Sequence, residues 1–219
     1  MAKINKDIPQ LDYFQIYKLC IKKGYWFPVS GRPFDLFVFG VRSNNREQSK
    51  DGFDDVIGIA YQDLKGEKCV AYFSATTDPS VRELINPSFY EAQLYGTAIM
   101  KEGQYRGAYK LGLHGGGVWQ HVALIQQMPI KIYRDKDKDT ILDFDVPVTQ
   151  GLYGINIHAA SLWQDLDKID GYSAGCQVFA NSKEYYKAVE LWQAQMRYGL
   201  GDIFSYTLFT QDEFSMALS

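Results

Sequence analysis

Between Phe34 and Thr77 the chain reads FDLFVFGVR, then FDDVIGIAYQD, then KCVAYFSATT, with the polar segments SNNREQSKDG and LKGE between them. Short apolar, aromatic and β-branched runs bounded by Gly-bearing polar dividers are strands. A chain that lays down three of them in succession must build on a sheet. The pattern then continues. TTDPSVRELINP is turn-rich and closes this hairpin region. YGTAIMKEGQYRGAYKLGLH resumes strand character and runs into the glycines 115–117. HVALIQQMPIKIYRD reads as two strands broken near Pro129, GLYGINIH as another, and IFSYTLFT as the last. The 16 Tyr and 13 Phe fit the same build, because aromatic rings suit a half-buried pleated face.

Helical spacing occurs near the two ends. Residues 11–23 place Phe14, Tyr17 and Ile21 on one predicted face and stop at Gly24. Residues 182–199 place Tyr185, Ala188, Val189, Trp192, Met196 and Gly199 on another, with Asn181 or Ser182 to cap the start. The expectation is one β-dominated α+β domain over residues 1–219, sandwich- or barrel-like, with helices near both termini and residues 1–30 as an N-terminal helical extension.

Several functions are excluded by what the chain lacks. The net charge of −3, with Lys and Arg scattered, leaves no electrostatic footprint for nucleic acid. No apolar run is long enough to span a bilayer, and MAKINKDIPQ has no secretory h-region. Cys20, Cys69 and Cys176 are too few and too far apart for a disulfide framework or a paired-cysteine metal site. They read as free thiols, with Cys20 and Cys69 as inert core residues. Walker A and H-E-x-x-H patterns are absent, and no cofactor or metal is expected. YRDKDKDTILDFD spaces Asp135, Asp137 and Asp139 like the opening of a calcium loop. Thr140 and Val146 occupy that loop's Gly and Glu positions, so the segment reads as a turn with a solvated charge run.

The chemistry is concentrated in GYSAGCQVF, residues 171–179, which offers Ser173 and Cys176. Gly171–Gly175 matches the G-x-S-x-G elbow, and His114 with its three glycines looks like an oxyanion segment. That fold orders its triad Ser, acid, His, whereas no histidine follows position 158, and a serine without a base is a poor nucleophile. Cys176 needs less help. Alternation along GLYGINIH puts Tyr153, Ile155 and Ile157 on one face, with Asn156 and His158 on the other. His158 is therefore available as a base. Gly175 permits a sharp turn that exposes the sulfur and aims the amides of Gly175 and Cys176 at an oxyanion.

His158, a polar stretch and then Ser173-Ala174-Gly175-Cys176 resemble the signature of the L,D-transpeptidase catalytic domain, in which a strand-borne His precedes Ser/Thr-His-Gly-Cys. The eighteen-position separation is similar to the family's, and TTDPS resembles its T-x-P-type strand region. The likeness covers about twenty-five residues. It implies that Cys176 is the acyl-accepting nucleophile and His158 its base, with Ser173 and Gly175 shaping the turn. It also implies a β-rich mixed fold, no metal, and peptidoglycan stem peptides as substrate. Two departures stand out. Ala174 replaces the family's second histidine, and Val178, preceded by Gln177, replaces its Arg or Asn.

GTAIMKEGQYRGAYKLGLH with PIKIYRDKDKD also resembles uncharacterised phage and prophage proteins. That likeness implies synthesis in the cytoplasm without a signal peptide, action at the bacterial cell wall, and other virion proteins as possible partners. The expected activity is wall hydrolysis through a Cys176 thioester. The alternatives are transpeptidation, or a virion or wall-binding protein that kept the fold without the chemistry. His114, Asn156 and Trp163 are the expected substrate contacts, and His121 is given no role.

Overall fold

The computed structural model describes residues 3–218. It is α+β and strand-dominated, and no helix is long and apolar enough to cross a membrane. Eight strands close a barrel: β1 (Phe37–Arg42), β2 (Asp55–Gln62), β3 (Lys68–Thr76), β5 (Gly103–His114), β6 (His121–Gln126), β9 (Ile157–Ala159), β10 (Gln177–Phe179) and β11 (Ile203–Thr210). Around the barrel they run β1-β11-β5-β6-β9-β10-β3-β2. A separate sheet joins β4 (Thr97–Met100), β7 (Ile130–Asp135) and β8 (Thr149–Gly151) in the order β4-β7-β8. Neighbours pair antiparallel, except β1 with β11 and β9 with β10, which are parallel.

Alternation along the strands sorts the side chains into two cores. Val38, Ile57, Ile59, Phe73, Ile157, Phe179 and Tyr206 point inward. There they meet Tyr185, Ala188, Val189 and Trp192 of α4 (Ser182–Arg197). Phe37, Phe39, Val41, Val56, Ala60 and Phe209 point outward. They are covered by Ile16, Leu19 and Cys20 of α1 (Tyr13–Lys23) and by Phe214 of α5 (Gln211–Ser215). Strands covered on both faces read as continuous apolar runs, which is why β1 is buried along its whole length. Each Val, Leu, Ile or Phe among them contributes about 1.5–3 kcal/mol when withdrawn from water.

The expected α1 face is wrong by part of a turn. Phe14 and Ile21 are exposed, and the buried stripe is Ile16, Leu19 and Cys20. An Asp12–Gln15 capping box and a left-handed Gly24 fix the helix ends, so tertiary packing alone chose its face. Met196 is likewise exposed at the end of α4. Cys20 is buried as expected, whereas Cys69 is only half-buried at the start of β3. TTDPSVRELINP contains the short helix α2 (Val81–Ile85), and a second helix, α3 (Tyr90–Tyr95), follows it unforeseen.

One buried ion cluster locks the barrel to the smaller sheet. Arg42 Nε donates to Asp78 at 2.7 Å and Nη1 to Glu102 at 2.8 Å, while Nη2 donates to the Met100 carbonyl at 2.8 Å. Asp55 accepts the N–H groups of Ser43 and Thr77. A buried guanidinium survives only with this many partners, and the cluster lies directly under the turn that carries Cys176.

Candidate active site

The parallel pair β9–β10 carries the site. Its register sets Gln177 beside Ile157 and Val178 beside His158. Ile155, Ile157 and Phe179 enter the inner core, as the alternation of GLYGINIH requires. Asn156, His158 and Cys176 therefore share the outer face. The expected strand is shorter than its sequence, because Gly151 ends β8 and β9 begins only at Ile157.

Ser173 holds the nucleophile turn. It is fully buried, which removes it as a nucleophile. Its hydroxyl lies 2.7 Å from the Asp78 carbonyl oxygen and 2.9 Å from that of Cys176, and it accepts the Gly175 N–H at 3.2 Å. Gly175 sits at φ 112°, where an added Cβ would meet the Ala98 carbonyl oxygen at 2.3 Å. Only glycine fits there. The same bond corrects one expectation: the Gly175 amide is spent on Ser173 and does not face an oxyanion. Among the described residues the Cys176 N–H has no such partner.

The Cys176 sulfur accepts the Asn156 N–H at 3.4 Å and lies 3.6 Å from the Gly154 carbonyl oxygen, to which the thiol can donate a hydrogen bond. Burial pushes the thiol up to about 11, opposed by the Asn156 amide. Cys176 lines a cavity of about 370 Å³ with Ala174, His114, Tyr153, Arg134, Tyr90 and Glu91. No hydrogen bond joins the sulfur to His158. The register explains this, since His158 stands beside Val178, two residues or about 6.6 Å further along the strand.

The hydrogen bonds also settle the protonation of the imidazoles. His158 is buried, and its Nδ1 lies 2.9 Å from the Ala159 carbonyl oxygen. A carbonyl only accepts, so Nδ1 carries the proton and Nε2 keeps its lone pair. Burial, with His114 and His121 nearby, lowers His158 to about 3. Asn156 Oδ1 accepts the Gln126 N–H at 2.9 Å, which orients its Nδ2 toward His114 Nδ1 at 3.2 Å. His114 therefore receives a hydrogen bond at Nδ1 and presents an N–H at Nε2.

Here the structure exceeds what the sequence offered. All three histidines of the chain converge: His114 stacks on His158 with ring centroids 4.0 Å apart, and His121 lies 5.4 Å from His114. His114 borders both the Cys176 cavity and a second one of about 200 Å³ lined by His158, His121, Trp119 and Tyr172. Trp163, expected to wall the site, is exposed and meets Trp119 edge to face at 5.0 Å. Asn156 organises the site, fixing Cys176, His114 and Gln126 at once. Val178 is buried in a small core with Phe53 and Ile169, against which Cys176 packs. Arg134 of β7 and Tyr90 and Glu91 of α3 were missed, since nothing local in the sequence brings these two elements to one wall.

No family model, no curated protein and no solved structure matches the chain.

Proposed function

We propose that this protein is a cysteine acyl-transfer enzyme acting on peptidoglycan stem peptides, with Cys176 as nucleophile and His158 as base. One observation carries the reading: the Cys176 thiol opens into one cavity and His158, with its free lone pair at Nε2, lines the adjoining one, His114 bordering both. As sulfur attacks a peptide carbonyl, its proton passes to His158 Nε2 through an intervening water. The new oxyanion is met by the Cys176 N–H and by the Nε2–H of His114, which lines the same cavity as Ala174. The C–N bond then breaks and the amine leaves with the proton from Nε2. Water attacks the thioester, again giving a proton to Nε2, and the thiol is restored as the acid departs.

The cavity chemistry favours a zwitterionic peptide. The Arg134 guanidinium lies over the Tyr153 ring at 5.0 Å and within 4.0 Å of Glu91, so a carboxylate and an ammonium can both be held there. A stem-peptide diamino acid offers both groups. The phage-type likeness makes water the acceptor and wall hydrolysis the outcome.

Muropeptides incubated with the wild type and with Cys176→Ala, followed by mass, test this. Cleavage by the wild type alone is expected, with His158→Ala reduced at least 100-fold. Identical, unchanged profiles would replace the enzyme with a wall-binding module.

A further inference from the structure

The acidic turn after β7 is not simply a solvated charge run. Lys138, at φ 65°, folds the segment back so that the Asp143 N–H donates to Asp135 Oδ2 at 3.1 Å. One oxygen each from Asp135, Asp137 and Asp143 then lies within 4.8 Å of the others. Asp135 is only 2% exposed, and its Oδ1 is buried without a hydrogen-bond partner among the described residues. None of the three carboxylates has an ion pair there either. The nearby Arg46 guanidinium is committed to the Leu142 carbonyl oxygen, at 2.8 and 3.0 Å. Burying a carboxylate oxygen with nothing to bind it is expensive, and gathering two more carboxylates around it makes it more so.

We infer that Asp135, Asp137 and Asp143 form a binding site for a calcium ion. Calcium takes oxygen ligands at about 2.4 Å, so ligands on opposite sides of it lie about 4.8 Å apart, and it tolerates an irregular shell completed by water. Magnesium demands shorter and stricter octahedral geometry. The site is not the loop whose spacing the sequence imitates, because Asp139 turns away to accept the Ile141 N–H at 2.6 Å and Asp143 takes its place. The ion would brace the cavity wall as well. Asp135 pairs with Thr97 at the start of β4, and Ala98, the next residue, lines the Cys176 cavity beside α3.

The test is thermal unfolding of the full chain at pH 7.5 in 1 mM EDTA, in 5 mM CaCl2 and in 5 mM MgCl2. Three proteins are compared: the wild type, Asp137→Asn and Asp143→Asn. Both substitutions lie outside the cores, so the variants are expected to fold. A site ten-fold saturated favours the folded state about 11-fold, which raises the wild-type Tm by roughly 3–6 °C in a chain of this size. Calcium is expected to give that rise and magnesium little, with both variants flat. Sensitised Tb3+ luminescence, displaced by calcium in the wild type only, is the second measurement. No rise in the wild type, an equal rise in the variants, or an equal rise with magnesium would overturn the assignment.

Discussion

The state of the Cys176 proton at rest can be worked out and then measured. With the thiol near 11 and His158 near 3, moving the proton before substrate arrives costs on the order of 10 kcal/mol. The resting pair is therefore a neutral thiol and a neutral imidazole, and the transfer must accompany attack. At pH 7 a thiol of that pKa is only about 0.01% thiolate, whereas an ordinary cysteine is about 3%, a deficit of roughly 300-fold. The more basic thiolate recovers roughly 10-fold in intrinsic nucleophilicity. Cys176 should thus be alkylated by iodoacetamide roughly 30-fold more slowly than free cysteine. Its rate should climb ten-fold per pH unit through pH 9.5, where free cysteine levels off. The assay is peptide-resolved mass spectrometry in a Cys69→Ser background, since Cys69 is the other accessible thiol. His158→Ala should leave this curve within about three-fold of the wild type while abolishing acylation by a carbapenem. A rate plateau below pH 8 would refute the reasoning, because it would mean a preformed thiolate–imidazolium pair.

His158 also makes stability depend on pH. Its folded pKa lies below the unfolded value of about 6.5, so its contribution is complete above 6.5 and is lost as pH falls toward 3. Denaturant midpoints between pH 6.5 and 5 should show a loss of about 1.4 kcal/mol per unit from this group, absent in His158→Gln. Gly175→Ala must move the Ala98 carbonyl or the turn. It should cost about 1–3 kcal/mol in urea unfolding and remove carbapenem acylation. Arg42→Met leaves Asp78 and Glu102 without their shared cation and should cost about 3–5 kcal/mol by the same measurement.

What the sequence could reveal was what local chemistry controls. The short apolar runs gave the barrel strands nearly their observed places apart from two: β9 is shorter than GLYGINIH, and β10 was not read as a strand at all. Helix faces were harder. α1 carries apolar side chains over a wide face, and which of them turn inward depends on packing with Phe209 of β11 and Phe214 of α5 that spacing does not encode. The helix α3 was invisible for a related reason. Six residues, with Phe89 making no side-chain cap, carry no amphipathic signal, yet they build one wall of the cavity.

The site was legible along the chain and hidden across it. Gly175-Cys176 and the outward face of His158 follow from residues a few positions apart. The lack of a direct Cys176–His158 bond follows from the register of two parallel strands, and a slip of one residue there would leave the two side chains on opposite faces. The histidine cluster has the same origin. His114, His121 and His158 lie on β5, β6 and β9, which are consecutive in the closed barrel although up to forty-four positions separate them in sequence. On the proposed mechanism, position 174 can therefore do without an imidazole. The barrel delivers one from β5, and the Asn156 amide sets it as a donor while the Ala159 carbonyl sets His158 as an acceptor. Replacing Asn156 with Asp would test that division of labour. A carboxylate cannot donate to His114 Nδ1, so the ring would turn its N–H inward, and the cavity would lose its donor while His158 kept its lone pair.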